Sequence, residues 1–105
     1  TNPWGHVFDE WGQSFMTDGA GSDGINFVFP RGVFISSPGA SRIIRGLNPG
    51  QPKLCGLEIL SGSHLPEKWH GLLASPDFRG HRIKTFRLSE PQGSSFQSSE
   101  GEILL

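Results

Sequence analysis

The sequence contains a single cysteine, Cys55, and no tyrosine. One cysteine cannot form an internal disulfide, and the haem-attachment pattern C-x-x-C-H is also absent. No apolar run approaches about 18 residues, so no transmembrane segment is predicted. The net charge of −1 predicts no nucleic-acid partner, because a nucleic-acid-binding domain usually carries a basic surface.

Glycine, proline and aromatic residues are abundant instead. Fifteen Gly and eight Pro in 105 residues favour short strands joined by turns over long helices. Eight Phe and three Trp provide enough apolar surface for a folded core despite this turn-rich composition. The composition therefore predicts an all-β fold. The chain shows neither a signal peptide nor an initiator Met, so we expect it to be a piece of a longer protein.

The clearest local pattern is a β-hairpin within NPWGHVFDEWGQSFMTD, residues 2–18. Strands are predicted at 6–8 and 14–17. Asp9 is suited to accept hydrogen bonds from the amides of the connecting turn, and Gly12 to take the left-handed conformation that such a turn needs.

Further short elements follow along the chain. Three apolar segments predict strands: Ile25–Phe29, Leu72–Ser75 and Arg82–Leu88. Pro66 predicts the start of a single helical turn. Ile83 and Phe86 break strict alternation, which predicts a bulge. Another short strand pair is predicted around Glu100 and Gly101.

The hairpin pattern recurs later in the chain, which suggests blade-like units. We expect such units at about 1–35 and 55–105, separated by an irregular insert at about 36–54. A propeller blade takes about 40–50 residues, and a propeller needs at least about four blades to close. The chain is therefore predicted to be a partial β-propeller domain of about two blades, incomplete as given.

Two segments carry a family resemblance: NPWGHVFDEWGQSFMTDGAGSDGINFVFP and LPEKWHGLLASPDFRGHRIKTFRL. They resemble the glucose/sorbosone dehydrogenase-like β-propellers, and within that group they are most similar to the membrane-bound dehydrogenase domain branch. The resemblance implies a bacterial oxidoreductase with a six-bladed propeller. Such an enzyme oxidises a sugar or alcohol substrate by hydride transfer to pyrroloquinoline quinone (PQQ), usually with calcium.

The resemblance also implies a setting for the intact protein. It would be periplasmic or extracellular, or associated with a membrane, and would pass electrons to a c-type cytochrome module. Because the quinone site on a propeller axis draws ligands from nearly all blades, we expect this piece to be inactive alone. The family's catalytic base would lie upstream of this chain.

Several residues correspond to functional positions of the family. In its quinone-binding motif Arg-Asn-x-Gln only Asn2 is retained, since Thr1 and Trp4 replace the Arg and the Gln. The implied cofactor-binding and metal-binding residues are as follows: Asn2, Arg79, Arg82 and Arg87 for the quinone, Asp18 and Asp23 for calcium. His6 lies in the matching motif and is a candidate for lining the axial channel, with a catalytic role as one hypothesis.

Each candidate also has a structural interpretation. His6 would be a hydrogen-bonded strand residue packed on Trp4 or Trp11, the two aspartates would cap their turn, and the basic stretch would be the solvated side of a hairpin. Two alternative functions remain open. One is a non-catalytic carbohydrate- or protein-binding propeller without the quinone, and the other is a blade fragment that assembles with copies of itself to cover its strand edges.

Overall fold

The computed structural model describes residues 3–19, 24–32, 53–89 and 96–104. The described residues form two antiparallel sheets with one short 3₁₀ helix at Glu67–Trp69. This confirms the all-β prediction. Most of the predicted irregular insert, at 36–52, lies outside the described residues.

Each sheet is a meander in which consecutive strands are neighbours. The first sheet has the order β1-β2-β3, with strands Pro3–Phe8, Ser14–Asp18 and Ile25–Val28. The second has the order β4-β5-β6-β7, with strands Glu58–Ile59, Leu73–Asp77, Arg82–Leu88 and Ser98–Glu100. An isolated bridge from Leu54 to Asp77 extends the pairing beside β4.

The predicted turn of the first hairpin is confirmed in detail. The Asp9 carboxylate accepts hydrogen bonds from the backbone amides of Trp11, at 2.9 Å, and Gln13, at 2.8 Å. Gly12 has a φ of 77°, a left-handed conformation that a side chain would strain. The turn residues therefore fix the β1–β2 connection locally.

Two sequence predictions about the second sheet are wrong. The β5–β6 register runs without interruption from Leu73 opposite Phe86 to Asp77 opposite Arg82, so no bulge occurs there. Neighbouring β6 residues are buried on both faces of the sheet, and strict alternation of apolar and polar residues is therefore not needed. The irregularity lies in β1 instead, between Pro3 and His6. The tail was expected to form a strand pair within itself around Glu100 and Gly101. It forms the single strand β7 instead, which pairs with β6.

The two sheets pack face to face across a shared core, with their first strands beside each other. β1 lies against β4, the first strand of the second sheet. Gly5 lies against Leu57, and farther along the two segments Phe8 and Ile59, the last residues of β1 and β4, line the same cleft. The two strands therefore run in the same direction. At the other side of the pair, Phe96 precedes β7 and lies 4.9 Å from the Phe27 ring of β3. The sheets therefore share both strand order and strand direction.

The core fills the space between the sheets. Phe15, Ile25, Leu54 and Phe86 are fully buried there. Phe96 adds an edge-to-face contact with Phe15 at 5.3 Å. The aromatic residues thus supply much of the apolar contact that holds two short sheets together.

Thr17 bridges the sheets with a buried hydroxyl. Its Oγ1 accepts a hydrogen bond from the Gly5 amide at 2.9 Å and donates one to the Cys55 carbonyl at 2.8 Å.

Thr17→Val keeps the shape of the side chain but leaves the Gly5 amide and the Cys55 carbonyl without this partner. We expect the free energy of unfolding to fall by about 2 kcal/mol, measured by urea denaturation. Thr17→Ser, which keeps the hydroxyl, is the control, and a valine variant as stable as the serine variant would contradict the bridge.

Candidate functional site

The two ends of the sheet pair carry different groups. At one end, which we call the Asp18 end, lie the last residues of β2 and β5 and the first residues of β3 and β6. At the opposite end, the hairpin end, lie the β1–β2 turn and the connection from β4 to β5. Most of the sequence-predicted site residues that the structure describes belong to the Asp18 end.

A buried polar pair lies at the Asp18 end of the first sheet. Asp18 and Asn26 are 3% and 2% exposed. Asn26 is opposite Met16, and Asp18 follows Met16 by two residues, so both side chains lie on the sheet face that points away from the core. Among the described residues, no hydrogen-bond partner is found for Asn26 Nδ2. An unpaired amide nitrogen at this depth is costly, so the position is suited to a further hydrogen-bond acceptor.

The calcium site predicted at Asp18 and Asp23 stays a prediction. A carboxylate and an amide oxygen are both ligands that Ca²⁺ accepts, and Asp18 and Asn26 provide one of each. No cluster of three His, Cys, Asp or Glu side chains occurs within the described ranges. Asn2 and Asp23 lie outside those ranges, so their predicted roles stay predictions.

Arg82 is engaged by a buried carboxylate. Its Nε donates a hydrogen bond to Asp77 Oδ2 at 3.2 Å, and Asp77 is only 2% exposed. The backbone amides of Lys53 and Gly80 donate to Asp77 Oδ1 at 3.1 and 3.2 Å. Asp77 therefore ties the β5–β6 turn to the segment before β4.

The protonation of Asp77 reflects these contacts. Burial by itself raises the pKa of a carboxyl group, because it disfavours the charged form. Here the amides of Lys53 and Gly80 and the guanidinium of Arg82 outweigh burial, and they hold the pKa of Asp77 below its ordinary value. Asp77 is thus a charged structural group at neutral pH.

The three predicted quinone-binding arginines do not converge. Arg79 is exposed in the β5–β6 turn, beside Arg82. Arg87 follows Phe86 in β6, so it points away from the core face, and its Nη2 donates to the Lys68 carbonyl at 3.3 Å. The structure thus separates Arg87 from the β5–β6 turn that carries Arg79 and precedes Arg82, and the quinone-binding role of the three stays a prediction.

The rest of the basic stretch is not uniformly solvated either. Lys84 is 6% exposed and forms an ion pair with Glu100 of β7. Its position on β6 places it on the same face as Phe86, with the ammonium 5.5 Å from that ring. The solvated-hairpin interpretation is therefore wrong for Lys84.

His6 lies on the face of the first sheet that points away from the core. Its Nε2 is 2.6 Å from Ser14 Oγ, and its ring packs edge-to-face on Phe8 at 4.7 Å. His6 is thus a hydrogen-bonded strand residue, as its structural interpretation expected. Its aromatic partner is Phe8, not Trp4 or Trp11. The proposed axial role stays a prediction.

Sequence reasoning missed a cleft at the hairpin end. It has a volume of about 910 Å³ and lies between the β1–β2 turn and the second sheet. The lining includes Phe8 and Trp11 from the hairpin, with Glu58 and His70 from the second sheet and its connection. The signal that could have indicated this cleft is Trp11, a large aromatic residue within a polar turn, where a side chain is expected to be exposed.

No protein family, curated protein or solved structure matches this chain. Within the described ranges, no helix is both long and apolar enough to span a membrane.

Proposed function

We propose that this chain supplies two neighbouring blades of a β-propeller of the glucose/sorbosone dehydrogenase-like group. The carrying observation is that both sheets are antiparallel meanders with the same strand order and direction, packed with β1 on β4. Propeller blades are four-stranded sheets that are repeated around an axis. The second sheet has four strands and the described part of the first has three, which supports this architecture.

The intact protein would oxidise a sugar or an alcohol, with PQQ as the hydride acceptor when bound. This chain would contribute to the wall of the site through its Asp18 end. Asp18 and Asn26 are buried polar groups, and Asn26 Nδ2 has no hydrogen-bond partner among the described residues. With Asn2 and Asp23 they are this chain's candidates for contacts with the cofactor or with calcium.

Arg82 and Arg87 also make contacts within this chain. Arg82 pairs with Asp77 and Arg87 binds the Lys68 carbonyl, so any contact of theirs with the quinone would be made in addition to these. We extend the proposal to the setting implied by the resemblance: a bacterial protein, periplasmic, extracellular or membrane-associated, that passes electrons to a c-type cytochrome module.

A non-catalytic recognition propeller, binding a carbohydrate or a protein, is the second candidate. The observation that favours it is the same internal use of Arg82 and Arg87. A propeller that had lost the quinone would retain its arginines only where they stabilise the blades. The two candidates differ in whether the full-length protein binds the quinone at all.

The test is titration of PQQ into the full-length protein with calcium present. Quinone absorbance reports binding, and dye reduction with a panel of sugars and alcohols reports turnover. We expect stoichiometric binding and calcium-dependent turnover, both weakened in Asp18→Asn, with the exposed Glu102→Gln as the control. Absence of binding by folded protein would overturn the dehydrogenase proposal and favour the recognition propeller.

A further inference from the structure

The cleft at the hairpin end presents two strongly exposed aromatic rings. Trp11 is 78% exposed and Phe8 is 62% exposed. The lining also includes the apolar residues Ile59 and Leu73 of the second sheet and Phe96, which precedes β7. Exposed aromatic residues beside an apolar lining are typical of an interaction site.

The position of Trp11 is fixed by its turn. Its backbone amide donates to the Asp9 carboxylate at 2.9 Å, and the Gly12 amide donates to the Asp9 carbonyl at 3.0 Å. The indole is therefore held out on an ordered backbone. A ligand that stacks on this ring would not have to order the turn first, which favours binding.

The carboxylates among the described residues that line the cleft give it a negative charge. Its described lining includes Asp9, Glu10 and Glu58, and no Lys or Arg. Glu10 lies next to Trp11 in the turn, and Glu58 lies across the cleft on β4. Carboxylates that line the same cleft as an exposed indole favour a cation over a neutral or anionic group.

We propose that this cleft binds an arginine side chain presented by an extended segment of a partner protein. A guanidinium is planar, so it stacks on an indole face while its edge donates paired hydrogen bonds to a carboxylate. A lysine ammonium offers a point charge without a stacking face. The cleft is large enough for the flanking backbone as well as the side chain, which favours a peptide segment.

The proposal does not depend on the dehydrogenase proposal. The cleft is at the hairpin end, opposite to Asp18 and the β5–β6 turn. Failure to bind PQQ would leave the cleft proposal unaffected, and loss of peptide binding would leave the quinone titration unaffected.

The test uses the full-length protein and three fluorescently labelled peptides that differ at one position. The probes are Gly-Ser-Arg-Ser-Gly and its counterparts with citrulline, which has the shape of arginine without the charge, and with lysine. Fluorescence anisotropy gives the Kd of each. We expect the arginine peptide to bind most tightly.

Variants on the protein side locate the contact. Trp11→Leu is expected to raise the Kd of the arginine peptide about tenfold, because it removes the cation–π contact. Glu58→Gln, which keeps the shape of the side chain, is expected to raise it too. Trp4→Leu changes another exposed indole, outside the cleft lining, and is expected to leave the Kd unchanged.

Three results would overturn the proposal. They are no binding of the arginine peptide by folded protein, equal binding of the citrulline or lysine peptide, and a Trp11→Leu variant that binds like Trp4→Leu. Weaker binding in both cleft variants, with the Trp4 variant unaffected, would establish it.

Discussion

Gly5→Ala is expected to lower the free energy of unfolding by about 3 kcal/mol or more, because a methyl group at this position meets backbone and not a movable side chain. A Cβ on Gly5 would overlap the Leu57 amide nitrogen and lie 2.6 Å from the Gly56 carbonyl carbon. Because the nearest atoms are backbone, relief requires β1 to move away from the segment that leads into β4. That separation would also stretch the Thr17 bridge between the sheets.

Gly56→Ala is the matched control for this prediction. Gly56 lies on the facing segment, yet a Cβ there would meet nothing within 4 Å. We expect the Gly56 variant to unfold within about 1 kcal/mol of the unmodified protein, by urea denaturation of both variants under the same conditions. Equal stability of the two variants would show that β1 and β4 are not in close contact in solution.

Asp77→Ala is expected to cost about 3 kcal/mol at neutral pH, because one buried carboxylate serves three donors. The amides of Lys53 and Gly80 and the guanidinium of Arg82 would all lose their acceptor. The β5–β6 turn would then detach from the segment before β4. Urea denaturation at pH 7 measures the loss.

The same variant is expected to change the acid sensitivity of the protein. The pKa of Asp77 is lowered in the folded state, so its ionised form contributes stability above the unfolded value of about 3.9. That contribution is lost as the pH falls through the lowered folded pKa. The stability difference between the unmodified protein and Asp77→Ala is therefore expected to shrink below about pH 4.

Glu67→Gln provides the control for the pH profile, since Glu67 is exposed in the 3₁₀ helix. Its profile is expected to follow that of the unmodified protein. A difference between Asp77→Ala and the unmodified protein that stays constant from neutral to acid pH would show that ionisation of Asp77 does not support the fold.

The first hairpin was predictable because its determinants are local. Asp9 and Gly12 act within their own turn, and the strands on either side alternate in a way that the sequence displays. The β5 and β6 strands were also predicted near their observed positions. Their bulge was not found, because burial on both faces of β6 removes the alternation on which the prediction depended.

The functional residues were less predictable, because their roles depend on partners from other parts of the chain. The charge of Arg82 is visible in the sequence, but its engagement by a buried Asp77 is not. The contact between Thr17 and Cys55 joins the two sheets and has no local signature. The cleft likewise combines Trp11 with Glu58, and only the packing of the hairpin on the second sheet brings them together.

The common direction of β1 and β4 has a consequence for symmetry. One sheet is carried onto the other by a displacement across their contact, not by a two-fold axis, so the contact is of the head-to-tail kind. Such a contact joins opposite faces of successive units, so each unit at the end of a series keeps one face available for a further contact of the same kind. The contact between the two sheets does not involve the face of the first sheet that bears His6 and Phe8. The angle between neighbouring sheets, rather than the chemistry of the contact, then decides whether a series of them closes into a ring.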